Sequence, residues 1–192
     1  MLSLSTFAEG AGGLLFGFVQ PAWNPSLMPK VPGTVPDFEY MGGYGYGVTR
    51  DGIIIGGFGL SFLDYNVADA NASSQLRHFA GGVGGIVVGS RVFGGESAHL
   101  DLASRLGVGG MALWTGSNTS TPGSLSDSNT GYMMAYAEPY VELGVGLTSW
   151  MHLSATLGYP ILGNLIPGKP MTDVSYFSPT IGATLTFGSF RR

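Results

Sequence analysis

The sequence predicts an all-β chain folded as an eight-stranded antiparallel up-and-down transmembrane β-barrel, and three observations predict it. Apolar and polar residues alternate with a period of two through about eight separate stretches, as strands with two unlike faces require. The connections between them run long, short, long, short, which suits a membrane barrel with extended hairpins on one side and tight ones on the other. Charged residues are only 10% of the chain, against about 25% in soluble domains, so a water-facing exterior would be hard to build.

In chain order, the first strand is assigned to Ala8–Gln20 and is followed by the long, Pro-rich connection Pro21–Phe38. Glu39–Thr49 and Ile53–Tyr65 form a hairpin about Arg50-Asp51-Gly52, where Asp51-Gly52 offers the positive φ of a type I′ turn. Asn66–Leu76 leads to Arg77–Phe93, and Gly94-Gly95-Glu96 turns the chain into Ser97–Trp114. Thr115–Gly131 leads to Tyr132–Leu147, which Thr148-Ser149-Trp150 joins to Met151–Leu162; Gly163–Phe177 then precedes the last strand, Ser178–Phe190. The long connections are rich in Pro, Asn, Ser, Thr and Gly and have little to bury, as solvent-exposed loops do. An even strand count places both termini on the short-turn side, the periplasmic side in this class.

At 192 residues the chain suits a single domain, taken as residues 1–192. Its 33 glycines follow no Gly-X-Y period, and the narrow, coiled wall of a small barrel gives them a reason. Strings such as Gly42-Gly43-Tyr44-Gly45-Tyr46-Gly47 are read as wall glycines, because a phosphate loop would open into a helix and no helical period follows. No window approaches the roughly 18 apolar residues of a membrane helix, whereas a tilted membrane strand needs about 9–11. Cysteine is absent, which removes disulfides and thiol chemistry, and a net charge of −4 without a basic patch argues against nucleic acid. Met1–Glu9 has neither a basic n-region nor a long apolar core, so an exported chain would be expected to have lost its signal.

Parity separates two faces. Leu102 and Leu106 oppose Asp101 and Arg105; Val141 and Leu143 oppose Glu138 and Glu142; Leu153 and Leu157 oppose His152 and Ser154. The polar set is mostly Gly, Ser, Thr and Tyr, a poor exterior but a good lining for a narrow lumen, so Leu102, Leu106, Val141, Leu143, Leu153 and Leu157 are expected to face lipid. Arg77–Phe93 resists this reading, since Val83 and Val87 lie on one parity and Ile86, Val88 and Val92 on the other. A bulge near Gly84-Gly85 would reconcile them and leaves Arg91 unplaced. Aromatic residues near strand ends, Tyr40, Tyr65, Phe93, Trp114, Trp150, Phe177 and Phe187, are expected to form interfacial girdles.

Asp101, Arg105, Glu138 and Glu142 form the expected lumen polar network. Either a proton or ion relay or a rigidifying salt-bridge plug would place them there, and the plug is the simpler account because buried charges must pair. His78, His99 and His152 lack HxH or HExxH spacing, so no metal site is assigned. His152, Ser154 and Glu142 are the one trio from which nucleophilic catalysis could be built, and a polar lining accounts for it equally. No cofactor and no catalytic residue is assigned.

Thr180-Ile181-Gly182-Ala183-Thr184-Leu185-Thr186-Phe187 resembles the C-terminal β-signal of outer-membrane barrels, with Thr180, Gly182, Leu185 and Phe187 at its defining positions. With the strand count, the chain resembles the small eight-stranded OmpA/OmpX-like barrels. It departs from the usual signal by continuing through Gly188-Ser189-Phe190-Arg191-Arg192, which offers Phe190 as a second terminal aromatic. The resemblance implies a bacterial outer-membrane location, membrane lipid, lipopolysaccharide and the barrel-assembly machinery as partners, and a structural or surface-interaction role in place of catalysis, with the loop ligand unspecified. Two alternatives stay open: a soluble lipocalin-like barrel around an apolar ligand, and an outer-membrane lipid-modifying enzyme.

Overall fold

Strand-forming alternation becomes a closed wall in the computed structural model, which describes residues 7–19, 38–68, 75–95, 97–117, 129–165, 174–176 and 179–190. The strand segments are β1 (Phe7–Val19), β2 (Phe38–Thr49), β3 (Ile53–Ala68), β4 (Gln75–Gly94), β5 (Ala98–Ser117), β6 (Asn129–Thr148), β7 (Met151–Gly158), β8 (Ile161–Asn164), β9 (Val174–Tyr176) and β10 (Thr180–Ser189). All pairings are antiparallel, and the wall closes because β1 pairs with both β2 and β10 while β5 pairs with both β4 and β6. Segments β7 and β8 are one wall strand: both pair with β6 in a common register, Tyr140 opposite Gly158 and Ala137 opposite Ile161. Pro160 interrupts it, since proline has no N–H for the ladder. Segment β9 pairs with β8 and segment β10 with β7, so these two also share one place in the wall, which gives eight wall strands.

The observed strands are longer than their alternation suggested. β4, β5 and β6 extend into the stretches read as long connections, because backbone pairing such as Gln75 with Ser117 continues where side-chain contrast has faded. The remainder of those connections lies outside the described residues. At the opposite end the hairpins are tight, and the start of β1 lies beside the end of β10, with Gly10 opposite Ser189.

Two local expectations are corrected. The first hairpin closes by Gly52 N–H donating to the Thr49 carbonyl at 3.0 Å, with φ +83° at Gly52. That is the longer loop ending in a left-handed glycine, not the two-residue type I′ turn expected from Asp51-Gly52. In β4 no bulge occurs at Gly84-Gly85, where pairing with β3 runs unbroken; the irregularity falls between Arg91 and Phe93, opposite β5. Val83 and Val87 therefore face inward with Arg91, packing beside Leu15 and Leu60.

The two faces differ in chemistry. Inward are His99, Asp101, Arg105, Glu138, Glu142, His152, Thr184 and Thr186, together with Tyr40, Tyr44, Tyr46, Tyr136 and Tyr140, all buried. Outward are Leu102, Leu106, Val141, Leu143, Leu153 and Leu157, between 39% and 55% exposed, in a belt with Phe16, Ile55, Ile86, Val108 and Ile181. Of the residues expected in girdles, Phe93, Trp150 and Phe187 are exposed near the tight turns, with Trp150 and Phe187 stacked at 6.0 Å. Tyr40 is not among them: its parity turns it into the lumen, where it is 4% exposed. The side chains of Tyr65, Trp114 and Phe177 lie outside the described residues.

Candidate functional site

An eight-stranded barrel has an interior just wide enough for side chains, and here those side chains sort by height into two charged layers. The four charges expected to act as one network divide between them.

The first layer is built on Arg105 of β5 and Glu138 of β6, directly opposite in the ladder. Arg105 Nη1 donates to Glu138 Oε2 at 2.6 Å, so the pair is joined through one nitrogen, not by the two-toothed fork that Arg allows. Glu138 accepts two further bonds, from Tyr136 Oη at 2.7 Å and from Thr180 Oγ1 at 2.9 Å. The guanidinium lies 4.1 Å from the centre of the Tyr140 ring, a cation–π contact that covers one of its faces. Arg105 Nε and Nη2 make no hydrogen bond among the described residues. Gly158 leaves the room this layer needs, because a Cβ there would overlap the Glu138 carboxylate and the Thr180 hydroxyl.

Toward the tight turns, Arg91 of β4 clamps Asp101 of β5 with two bonds, Nε to Oδ1 at 2.8 Å and Nη2 to Oδ2 at 3.0 Å. Its Nη1 also donates to Glu9 of β1. Glu142 stands opposite Asp101 on β6 and accepts from Tyr44 Oη at 3.2 Å. Tyr44 comes from β2, four strands away around the wall, so this bond crosses the lumen. His99 lies with Nε2 3.5 Å from Glu142 and Nδ1 3.2 Å from His152 Nδ1. Gly144, its partner in the ladder, gives its ring space that any Cβ would fill. His152 in turn stacks on Phe190 at 3.6 Å, which sets an aromatic floor under the layer.

Sequence reasoning missed Arg91, Glu9, Tyr44 and the meeting of His99 with His152. Glu9 shares the odd parity of the buried Leu15 and could have been found that way; the histidines, on β5 and β7, meet across β6, where His99 pairs with Gly144 and His152 with Gly146, which no short motif spacing records. His78 lies in β4, its side chain outside the described residues. The catalytic trio does not assemble: Ser154 Oγ has no hydrogen-bond partner among the described residues, and the His152 Nδ1 faces His99. Of the octet, Thr180 and Gly182 face inward while Leu185 and Phe187 belong to the outer face.

No protein-family model matches the chain, and no curated protein matches it in sequence. Among solved structures it is similar to Ail, the attachment invasion locus protein of Yersinia pestis, with TM-score 0.51 and 12% identity over 93% of this chain and 99% of that one. A second structure of Ail, in complex with the heparin analogue sucrose octasulfate, matches with TM-score 0.52 and 11% identity over the same shares. The N-terminal β-barrel domain of Pseudomonas aeruginosa OprF matches with TM-score 0.46 and 12% identity over 93% of this chain and 97% of that one. The fold is that of a small outer-membrane barrel. At such identities the likeness is one of backbone architecture, and the two charged layers are read from this chain's own residues.

Proposed function

We propose that the protein is an integral outer-membrane barrel with a side-chain-filled lumen, whose work is structural or is done at its exposed loops. The observation that carries this reading is the placement of the polar side chains: Asp101, Arg105, Glu138, Glu142 and the threonines are buried inside beside a smaller apolar set that includes Leu15, Leu60, Val83 and Val87, while the exposed belt is made of large aliphatic and aromatic side chains. A soluble lipocalin-like barrel needs the reverse, an apolar cavity and a solvated exterior. The belt that includes Leu102, Leu106, Val141, Leu143, Leu153 and Leu157 then faces acyl chains. An outer-wall recess of about 630 Å³ beside Leu102, Val141, Leu157 and Pro139 is filled by lipid. Thr180, Gly182, Leu185 and Phe187 serve recognition by the assembly machinery, and lipopolysaccharide surrounds the loop end.

The lumen charges act as a plug. Among the described residues His152, Ser154 and Glu142 do not form a hydrogen-bonded trio, which favours a surface or structural role over lipid modification. The Ail complex with a heparin analogue does not carry a polyanion-binding role to this chain. Its four long connections hold Lys30 and Lys169 against Asp37, Asp69, Asp127 and Asp173, too little positive charge to hold a polysulfate.

The test is behaviour at a lipid surface. Purified protein should need detergent, float with liposomes after refolding, and migrate differently on gels before and after boiling. Protein that stays soluble without detergent and binds a fluorescent fatty acid would establish the lipocalin-like alternative instead.

A further inference from the structure

We propose that the tight-turn end of the lumen is a binding site for one divalent transition-metal ion, with His99 Nε2, Asp101 Oδ2 and Glu142 Oε1 as its protein ligands. One donor atom from each of the three residues lies within 4.8 Å of the other two, and all three residues are buried. His99 Nε2 is 3.5 Å from Glu142 Oε1 and 3.9 Å from Asp101 Oδ2. Both separations exceed a good N–H···O bond of 2.7–3.2 Å. They are close to the roughly 3.3–3.6 Å between neighbouring donors around a tetrahedral ion whose bonds are about 2.0–2.2 Å.

One of the two tautomer arrangements points the same way. Between His99 Nδ1 and His152 Nδ1, at 3.2 Å, one nitrogen donates and the other accepts. When His99 is the donor, its Nε2 lone pair is aimed at two carboxylates, an arrangement that needs a cation between them. A histidine ligated through one nitrogen and held through the N–H of the other is the usual outer-shell pattern of metal sites. Here His152, stacked on its other side by Phe190, is the residue that fixes the ring.

Charge supplies an independent observation. Among the described side chains of this layer, Glu9, Asp101 and Glu142 bring three negative charges and Arg91 one positive, an excess of two. Arg91 is committed to Glu9 and Asp101, and among the described residues Glu142, 2% exposed, has His99 Nε2 and the Tyr44 hydroxyl within hydrogen-bond reach. Burying such an excess is costly unless it is compensated, and a divalent ion compensates it fully. One imidazole with two carboxylates suits Zn²⁺, Mn²⁺ or Fe²⁺. The bound ion would tie β5 to β6 just inside the turns.

The experiment uses untagged full-length protein refolded in detergent, treated with EDTA, dialysed, and titrated with Zn²⁺ by calorimetry and with Co²⁺ by visible absorption. One ion per chain should bind, Co²⁺ should develop ligand-field bands of nitrogen and oxygen coordination, and Zn²⁺ should raise the thermal midpoint. Glu142→Gln and His99→Gln should weaken binding by about 100-fold or more, and His152→Phe by about 10–100-fold. His78→Ala should leave binding unchanged. Variants that lose heat-modifiable migration are set aside, and the wild-type titration alone then decides. Wild-type protein that takes up no stoichiometric Zn²⁺ or Co²⁺, or binding that survives both ligand substitutions, overturns the site and leaves the cluster as a proton-bridged plug.

Discussion

Arg105 and Glu138 are each almost completely buried, so their coupling is the largest single-pair effect expected in the lumen. Removing one partner leaves an uncompensated charge and should cost about 3–5 kcal/mol, while removing both should cost much less. A double-mutant cycle on Arg105→Met and Glu138→Gln, read by urea unfolding in lipid vesicles, should therefore be strongly non-additive. The cycle on Arg105→Met and Glu142→Gln should add to within about 0.5 kcal/mol, because Glu142 belongs to the other layer. Equal coupling in both cycles would mean that the two layers are one network. On the outer face, Leu143 is half exposed on β6. Leu143→Arg should destabilise the protein in bilayers by about 2–4 kcal/mol if the residue sits near the midplane. Folding equal to wild type in the same vesicles would remove Leu143 from the lipid belt.

At the scale of elements, the hairpin between β2 and β3 depends on the left-handed backbone at Gly52. A Cβ there would meet the Arg91 carbonyl oxygen at 3.1 Å as well as the intrinsic cost of φ > 0, about 1–2 kcal/mol for an ordinary residue. Gly52→Ala should lose about that much in equilibrium unfolding and Gly52→Asn less; an unchanged Gly52→Ala would show that the turn adopts another shape without penalty. The strands were legible because burial on one face imposes period two, and β5, β6 and β7 keep that period without a break. β4 was harder to read for a physical reason: Val83 and Val87 are aliphatic yet inward, packed with Leu60, even though Val87 stands opposite Arg105 in the ladder, so polarity does not mark the face on this strand. Arg91 could not be placed until pairing with β5 set it opposite Asp101. Tyr40 misled through its position at a strand end, where headgroup and lumen both accept a tyrosine. The partnership of Arg105 with a β6 carboxylate was readable from parity and adjacency, whereas the contact between His99 and His152 depends on ring orientation above Gly144.

Across the whole molecule, the lumen is closed by contacts that reach from one wall to the other. Tyr44 of β2 meets Glu142 of β6, Arg91 of β4 meets Glu9 of β1, and Phe58 of β3 lies 5.9 Å from Tyr136 of β6. Each joins strands three or four places apart in an eight-strand wall, and the plug proposed above rests on such contacts among the described residues. Ion entry would require breaking the Arg105–Glu138 layer, displacing the tyrosines, and passing the His152–Phe190 stack, three barriers in series. Planar bilayers containing the purified protein should accordingly show no steady conductance, with at most brief, infrequent openings. If the Arg105–Glu138 layer is one of these barriers, Glu138→Ala, which also releases Tyr136 and Thr180, should increase the frequency of openings relative to wild type. Large, stable channels from the wild-type monomer would mean that the lumen side chains do not plug the barrel.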